Sequence, residues 1–331
     1  MSESNVIEFD RRGDVKLRIG GSADETTSKV FIVCSRALAR VSPVFDRMLY
    51  GGFAESKPRG ATNPDDWVVD LPEDRPGPLA LLLHIAHCQV SRVPKVLSID
   101  KLYELTVLTH YYDATQILLP WLDPWVASVH EMVQDADTLM PKFLWITWEL
   151  GYNELFEATA RRMLMEAPAS ILAPDSPLQS LQMPPDTIER ITAIRMQTIQ
   201  ALLDVFRDLV DKLLVADENP RWCRYASFMG PHRCESMILG SMTFCLTRAG
   251  LWPLPESADV EDSIVQLHTK LTNLVIHDIG RSSEKGAVNH SECNPQPYLV
   301  EDIQRIMDEI PDPVTDFHRK HIKEQVRKIS T

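Results

Sequence analysis

No stretch of this 331-residue chain approaches the roughly 18 uninterrupted apolar residues that a membrane-spanning helix needs. The first residues, MSESNVIEFDRRGD, have no apolar run of the secretory kind. Both absences predict a chain that stays in a reducing compartment, cytoplasm or nucleus, so its six cysteines are expected as thiols or metal ligands before disulfides. Excess positive charge is also missing. A formal net charge of -13 opposes a phosphate backbone, and the one weakly basic stretch, Arg319 to Lys328, reads as a solvated helix face, so neither nucleic acid nor membrane is expected as a partner. The chain contains no G-x-G-x-x-G, P-loop, G-x-S-x-G or H-E-x-x-H pattern, which argues against an enzyme. Kelch and ankyrin repeats are absent too.

What is present begins with alternation. Val15, Leu17 and Ile19 separated by Lys16 and Arg18 predict a half-buried strand, SADETTS a turn, and Val30 to Val33 a second strand with no wet face. Ser35 is expected to cap the helix that follows. Ser42-Pro43 predicts a second cap with proline at the first helical position, so the helix breaks near Val41 and restarts. Trp67 to Leu71 gives a third strand, and Pro78 to Cys88 and Ser98 to Ala114 two apolar helices. Val129 to Thr138 reads as a polar bridge, Met140 to Ala167 as a helical pair divided at Gly151, and Pro168 to Pro185, with five prolines, as a linker. A long helix follows, with Ile188, Ile191, Ile199, Leu202, Phe206, Leu209 and Leu213 in one apolar stripe. Helices from about Pro231 to Gly250 and from Val260 to Ile279 complete the reading.

Residues 13–126 resemble a BTB/POZ domain of the kind abundant in filamentous fungi. The resemblance is carried by Gly13-Asp14-Val15, Phe31, Leu38, Ser42-Pro43, Phe45, Met48-Leu49, Gly52-Phe53 and Glu55-Ser56, then by Leu71-Pro72-Glu73-Asp74, Leu82, Tyr111-Tyr112-Asp113, Leu119-Pro120-Trp121 and Trp125. It implies an α+β fold, a small sheet capped by helices, acting through protein–protein contact without catalytic residues. Cys34 and Ser35 stand where many animal members carry His and a basic residue, which weakens the expectation of a basic partner for Asp14. Asp14 is then read as a turn or cap carboxylate. The expected organisation is a flexible N-terminus (1–12), the BTB/POZ-like domain (13–128), a helical extension (129–167), the linker (168–185) and an all-helical C-terminal domain (186–331). The function expected is a non-enzymatic interaction protein that forms homo-oligomers or binds a protein partner through the first domain. An adaptor that docks a cullin-type ubiquitin ligase is the alternative the resemblance offers.

One constellation carries chemistry. In His290-x-x-Cys293 the two intervening residues let both side chains converge on one point, and Cys223 and Cys234 supply two further donors. Three thiolates and an imidazole in a closed tetrahedron mean structural zinc. The fungal chains that this one resembles carry a comparable Cys, Cys and His-x-x-Cys tail. The competing reading makes Cys234 a small helix residue, Cys223 a buried thiol and His290 a solvated loop histidine, with His232 an alternate ligand if the site exists. Cys245 lies eleven residues beyond Cys234 on one helix, roughly 16 Å away, and is expected in the core. A closed set leaves no position for substrate, which puts a zinc-dependent hydrolase last among the readings.

Overall fold

The computed structural model describes residues 5–20, 29–61, 63–134, 136–173, 175–214, 222–223, 232–280 and 289–330. The predicted SADETTS turn lies outside them. The described residues form an α+β structure of two compact units. The first comprises 1–159, 181–184 and 315–331, and the second 160–180 and 185–314.

The first unit is built on a four-stranded sheet of order β1-β3-β2-β4, with β1 Val6–Glu8, β2 Val15–Ile19, β3 Lys29–Val33 and β4 Val68–Leu71. β2 and β3 are antiparallel, whereas β1 and β4 run parallel to their neighbours. Alternation in β2 works as expected, since Val15, Leu17 and Ile19 are fully buried. β1 corrects the flexible N-terminus. It is paired along β3 yet exposed at all three residues, so it has no apolar alternation to announce it.

α1 (Ser35–Val41) and α2 (Pro43–Tyr50) break where predicted, and the Ser42 hydroxyl accepts from the Phe45 N–H at 3.0 Å. Ser35 does not cap α1. Cys34 holds the cap position without a side-chain bond, and Asp14 accepts from both the Ser35 N–H and its hydroxyl, at 2.8 Å each, doing the cap's work from β2's entrance. Asp14 also has a basic partner after all: Lys57 Nζ at 3.3 Å, reaching in from the segment after α2 rather than from the positions beside Cys34.

α3 (Pro76–Ala86), α4 (Ile99–Tyr111), α5 (Leu122–Gln134) and α6 (Met140–Leu150) follow. The polar bridge is overturned over most of its length, because α5 continues to Gln134 and buries Val129 and Val133 one turn apart. Every residue of α6 but Lys142 is buried, Glu149 included, whose carboxylate meets His110 Nδ1 at 2.8 Å and accepts from Thr115. α7 (Asn153–Glu166) comes next, and the terminal helix α13 (Asp316–Ser330) belongs to this unit. Its Gln325 donates to the Glu149 carbonyl at 3.1 Å and its His321 lies flat on Trp148, ring centres 4.0 Å apart.

In the second unit the expected linker contains α8 (Ala169–Leu172) and the 3-10 turn Pro177–Ser180, which bury Leu172 and Leu178. Ala169 and Ser170 donate to the backbone and side chain of Glu261, so the prolines punctuate packed chain rather than a free tether. α9 (Thr187–Leu214) runs 28 residues, and all seven stripe residues are buried. Buried Arg195 on α9 donates to the carbonyls of Val260 and Asp262, fixing the approach to α11 (Ile264–Thr272). α10 (Arg233–Arg248) and α12 (Gln296–Asp308) complete the unit. Among the described residues, no helix is long and apolar enough to cross a membrane.

Candidate metal centre

α10 sets the first wall of the site. Its second residue, Cys234, lies in the first turn, where the positive end of the helix dipole favours a thiolate. The preceding His232 takes a left-handed backbone, φ 67°, at the cap. Opposite stands the 3-10 turn Ser291–Cys293, flanked by His290 and closed by the Cys293 N–H donating to the His290 carbonyl at 2.9 Å. This turn converts the H-x-x-C spacing into two donors on one side. Cys223 supplies the third wall.

The four donors, Cys223, Cys234, His290 and Cys293, lie within 4.8 Å of one another and all four residues are buried. The Cys223 and Cys293 sulfurs are 3.9 Å apart, and His290 Nδ1 lies 3.6 Å from Cys223 Sγ and 3.1 Å from Cys234 Sγ. A tetrahedral ion with thiolate bonds of about 2.3 Å and an imidazole bond of about 2.0 Å sets sulfurs about 3.8 Å apart and sulfur to nitrogen about 3.5 Å. Two separations match within about 0.1 Å. The Cys234 to His290 approach, 3.1 Å, is tighter.

The set could therefore hold a metal ion, and it is the one such group of three or more His, Cys, Asp or Glu side chains among the described residues. Burial, and then the neighbouring Cys223 and Cys293 thiols, push the Cys234 thiol well above its ordinary range. A cation reverses that cost by taking the place of three protons. The reading of His290 as a solvated loop histidine is incorrect, since the residue is 3% exposed. His232 is outside the set. Cys245 is outside as well but is not core: its thiol, half-buried, donates to the Val275 carbonyl at 2.9 Å.

Sequence reasoning missed the outer contacts. The Trp222 indole N–H donates to the Cys293 carbonyl at 2.7 Å, and the Cys223 N–H donates to buried Glu235 at 3.2 Å. A tryptophan beside one ligand and a carboxylate beside another were the available signals. The predicted helix from Val260 to Ile279 was also wrong in extent, because α11 ends at Thr272 and residues 274–280 form a strap. Gln296 explains this by acting as a strand would: its amide donates to the Leu274 carbonyl at 2.7 Å and accepts from the Ile276 N–H at 3.1 Å. Asn294 adds a bond to the Ile276 carbonyl, Ser241 accepts from the His277 N–H, and Gly280 accepts from the His290 N–H. Two residues just past the 290–293 turn thus take over backbone groups that a helix would have used internally.

Two histidines of the first unit, at the end of α3, are bonded as well. His84 Nδ1 meets Gln89 at 2.7 Å, and His87 donates from Nδ1 to the Leu83 carbonyl while Nε2 accepts from the Cys34 N–H at 3.0 Å. Of the residues that carry the BTB/POZ resemblance, Phe31, Leu38 and Phe45 are fully buried, Ser42 is a cap, and Met48 is half-buried.

No family model matches the chain. No curated protein matches it either.

Proposed function

We propose that the chain is a non-enzymatic interaction protein whose first unit, BTB/POZ-like in its sequence signature, associates with itself or with a protein partner, and whose second unit is held together by one structural zinc. The zinc part rests on the Cys3His geometry. Four buried protein donors within 4.8 Å of one another would fill all four positions of a tetrahedral ion and leave none for water or substrate, the arrangement of structural rather than catalytic sites. Two ligands lie eleven residues apart and the other two more than fifty residues further on, so the ion would join α10, the Cys223 segment and the 290–293 turn in one step.

The interaction part is supported by where the signature residues fall: they build the sheet and its capping helices, not a reaction site. Exposed apolar side chains on this unit, Tyr50, Phe53, Val68 and Leu119 among them, offer surface for burial against a partner. Stable specific contacts bury roughly 1,200 to 2,000 Å² in total.

Elemental analysis of the purified full-length protein beside Cys293→Ser tests the metal. Stoichiometric zinc in the wild type, lost in the variant together with a lower melting temperature, is the expected result, and a metal-free wild type refutes it. Sedimentation velocity over a micromolar concentration series tests association. A strict monomer throughout removes self-association.

A further inference from the structure

The ligand set is tied together by bonds that do not involve a metal. Trp222, next to Cys223 in the chain, donates to the carbonyl of Cys293, so these two cysteines sit on segments stapled to each other. Their sulfurs are 3.9 Å apart. A disulfide needs about 2.05 Å, a closure of about 2 Å that side-chain rotation can supply at Cys223, outside any helix, and at Cys293, the last residue of a single 3-10 turn. Cys234 differs, because its backbone is part of α10 and its thiol faces His290 at 3.1 Å.

Downstream of Cys293, Asn294 and Gln296 hold the strap through the Leu274 carbonyl, the Ile276 N–H and the Ile276 carbonyl. The strap in turn forms one wall of an open groove of about 660 Å³, with Met237, Gly240 and Phe244 of α10 on the other side. Whatever moves Cys293 therefore acts on this groove within two or three residues.

We infer that the site is a peroxide-sensitive switch in which Cys223 and Cys293 pair as a disulfide and the metal leaves. This rests on the zinc reading above. One zinc-bound thiolate attacks a peroxide oxygen; the S–O bond forms as the O–O bond breaks, and the departing hydroxide takes a proton from solvent to become water. The second thiolate then attacks the resulting sulfenic sulfur. The S–S bond forms, the S–O bond breaks, and a second hydroxide is protonated. Two electrons pass from the two sulfurs to hydrogen peroxide, so one peroxide and two protons give one disulfide and two waters. Zinc is left with Cys234 and His290, two donors where a stable site needs four. Reduction of the disulfide by a small dithiol regenerates both thiols and the site.

The test uses the full-length chain loaded with zinc and titrated with hydrogen peroxide. Zinc release is followed with a colorimetric chelator, disulfides are mapped by digestion without reduction and mass spectrometry, and exposed Cys88 serves as the internal measure that oxidant has acted. One zinc released for each Cys223–Cys293 link, with uptake restored by dithiothreitol, is expected. Amide exchange at 274–277 should rise in the oxidised protein. Zinc retained after Cys88 is oxidised, zinc lost without the link, or a link that uses Cys234 would each overturn the switch while leaving the zinc reading intact. A chain that takes up no zinc overturns the zinc reading and the switch with it.

Discussion

Gly151 shows how much one backbone position can decide. It ends α6 in the left-handed region, φ 81°, and a Cβ placed there would stand 2.7 Å from Val326 Cγ2 of α13. Gly151→Ala should destabilise the first unit by more than the roughly 1 kcal/mol of a left-handed alanine alone, because relief of the contact requires α13 to shift. Urea unfolding midpoints of the two proteins check this. Two histidines of the same unit should pull its pH dependence in opposite directions. Burial lowers the pKa of His87, whose ring already donates to Leu83 and accepts from Cys34, so the unfolded chain takes the proton first as pH falls. Its contribution is lost as pH drops below the unfolded value of about 6.5. His110 is raised, first by its bond to Glu149, so its contribution is full below that value and disappears as pH rises through its folded pKa. Unfolding free energies between about pH 5 and 8 should therefore lose acid sensitivity in His87→Gln and gain it in His110→Gln. The opposite pair of slopes would refute the assignment.

At the scale of elements, the strap shows a segment taken from helix by its neighbours. Val275 and Ile276 are β-branched and fit an extended backbone, and the Gln296 amide gives the Leu274 carbonyl and the Ile276 N–H their partners. Gln296→Ala should cost about 1 to 3 kcal/mol for two orphaned groups and speed exchange of the Ile276 amide, while α11 retains its protection. Exchange measured by mass spectrometry separates the two segments. α6 makes a related point. Its buried Glu149 is tolerated because Thr115 and His110 bond the carboxylate, so Thr115→Val should destabilise α6 more than its unchanged size suggests. Thermal melting against the wild type reads that loss.

Over the whole molecule, two compact units with different stabilising devices imply two responses to metal removal. The first unit relies on a sheet with buried faces and on stacked aromatic rings such as Phe45 on Tyr112, 4.1 Å apart. The second relies on α9 and its neighbours and, in the proposed function, on an ion held by the Cys3His set. A strong chelator should lower the melting transition of residues 185–314 and leave that of the sheet unit in place. Differential scanning calorimetry with and without chelator reads the two transitions, and an equal shift of both would contradict the assignment of the metal to one unit. The net charge of -13 keeps such a chain apart from itself at low salt, so any self-association should strengthen as salt screens the repulsion.

Local patterns determined much of this in advance. Alternation placed β2, the Ser42-Pro43 pair placed the break between α1 and α2, and the apolar stripe of α9 placed its buried face, because each depends on residues within a turn or two of chain. H-x-x-C spacing likewise marked half of the candidate ligand set. Tertiary structure alone decided the rest: that Asp14 rather than Ser35 would serve α1, that Lys57 would reach Asp14, that α13 would join the sheet unit, and that Gln296 would hold 274–276 out of a helix. These outcomes turn on polar groups finding partners across 20 to 176 positions of sequence. A buried donor or acceptor must be satisfied by whatever the fold brings near, and no periodicity in the chain records which group that is.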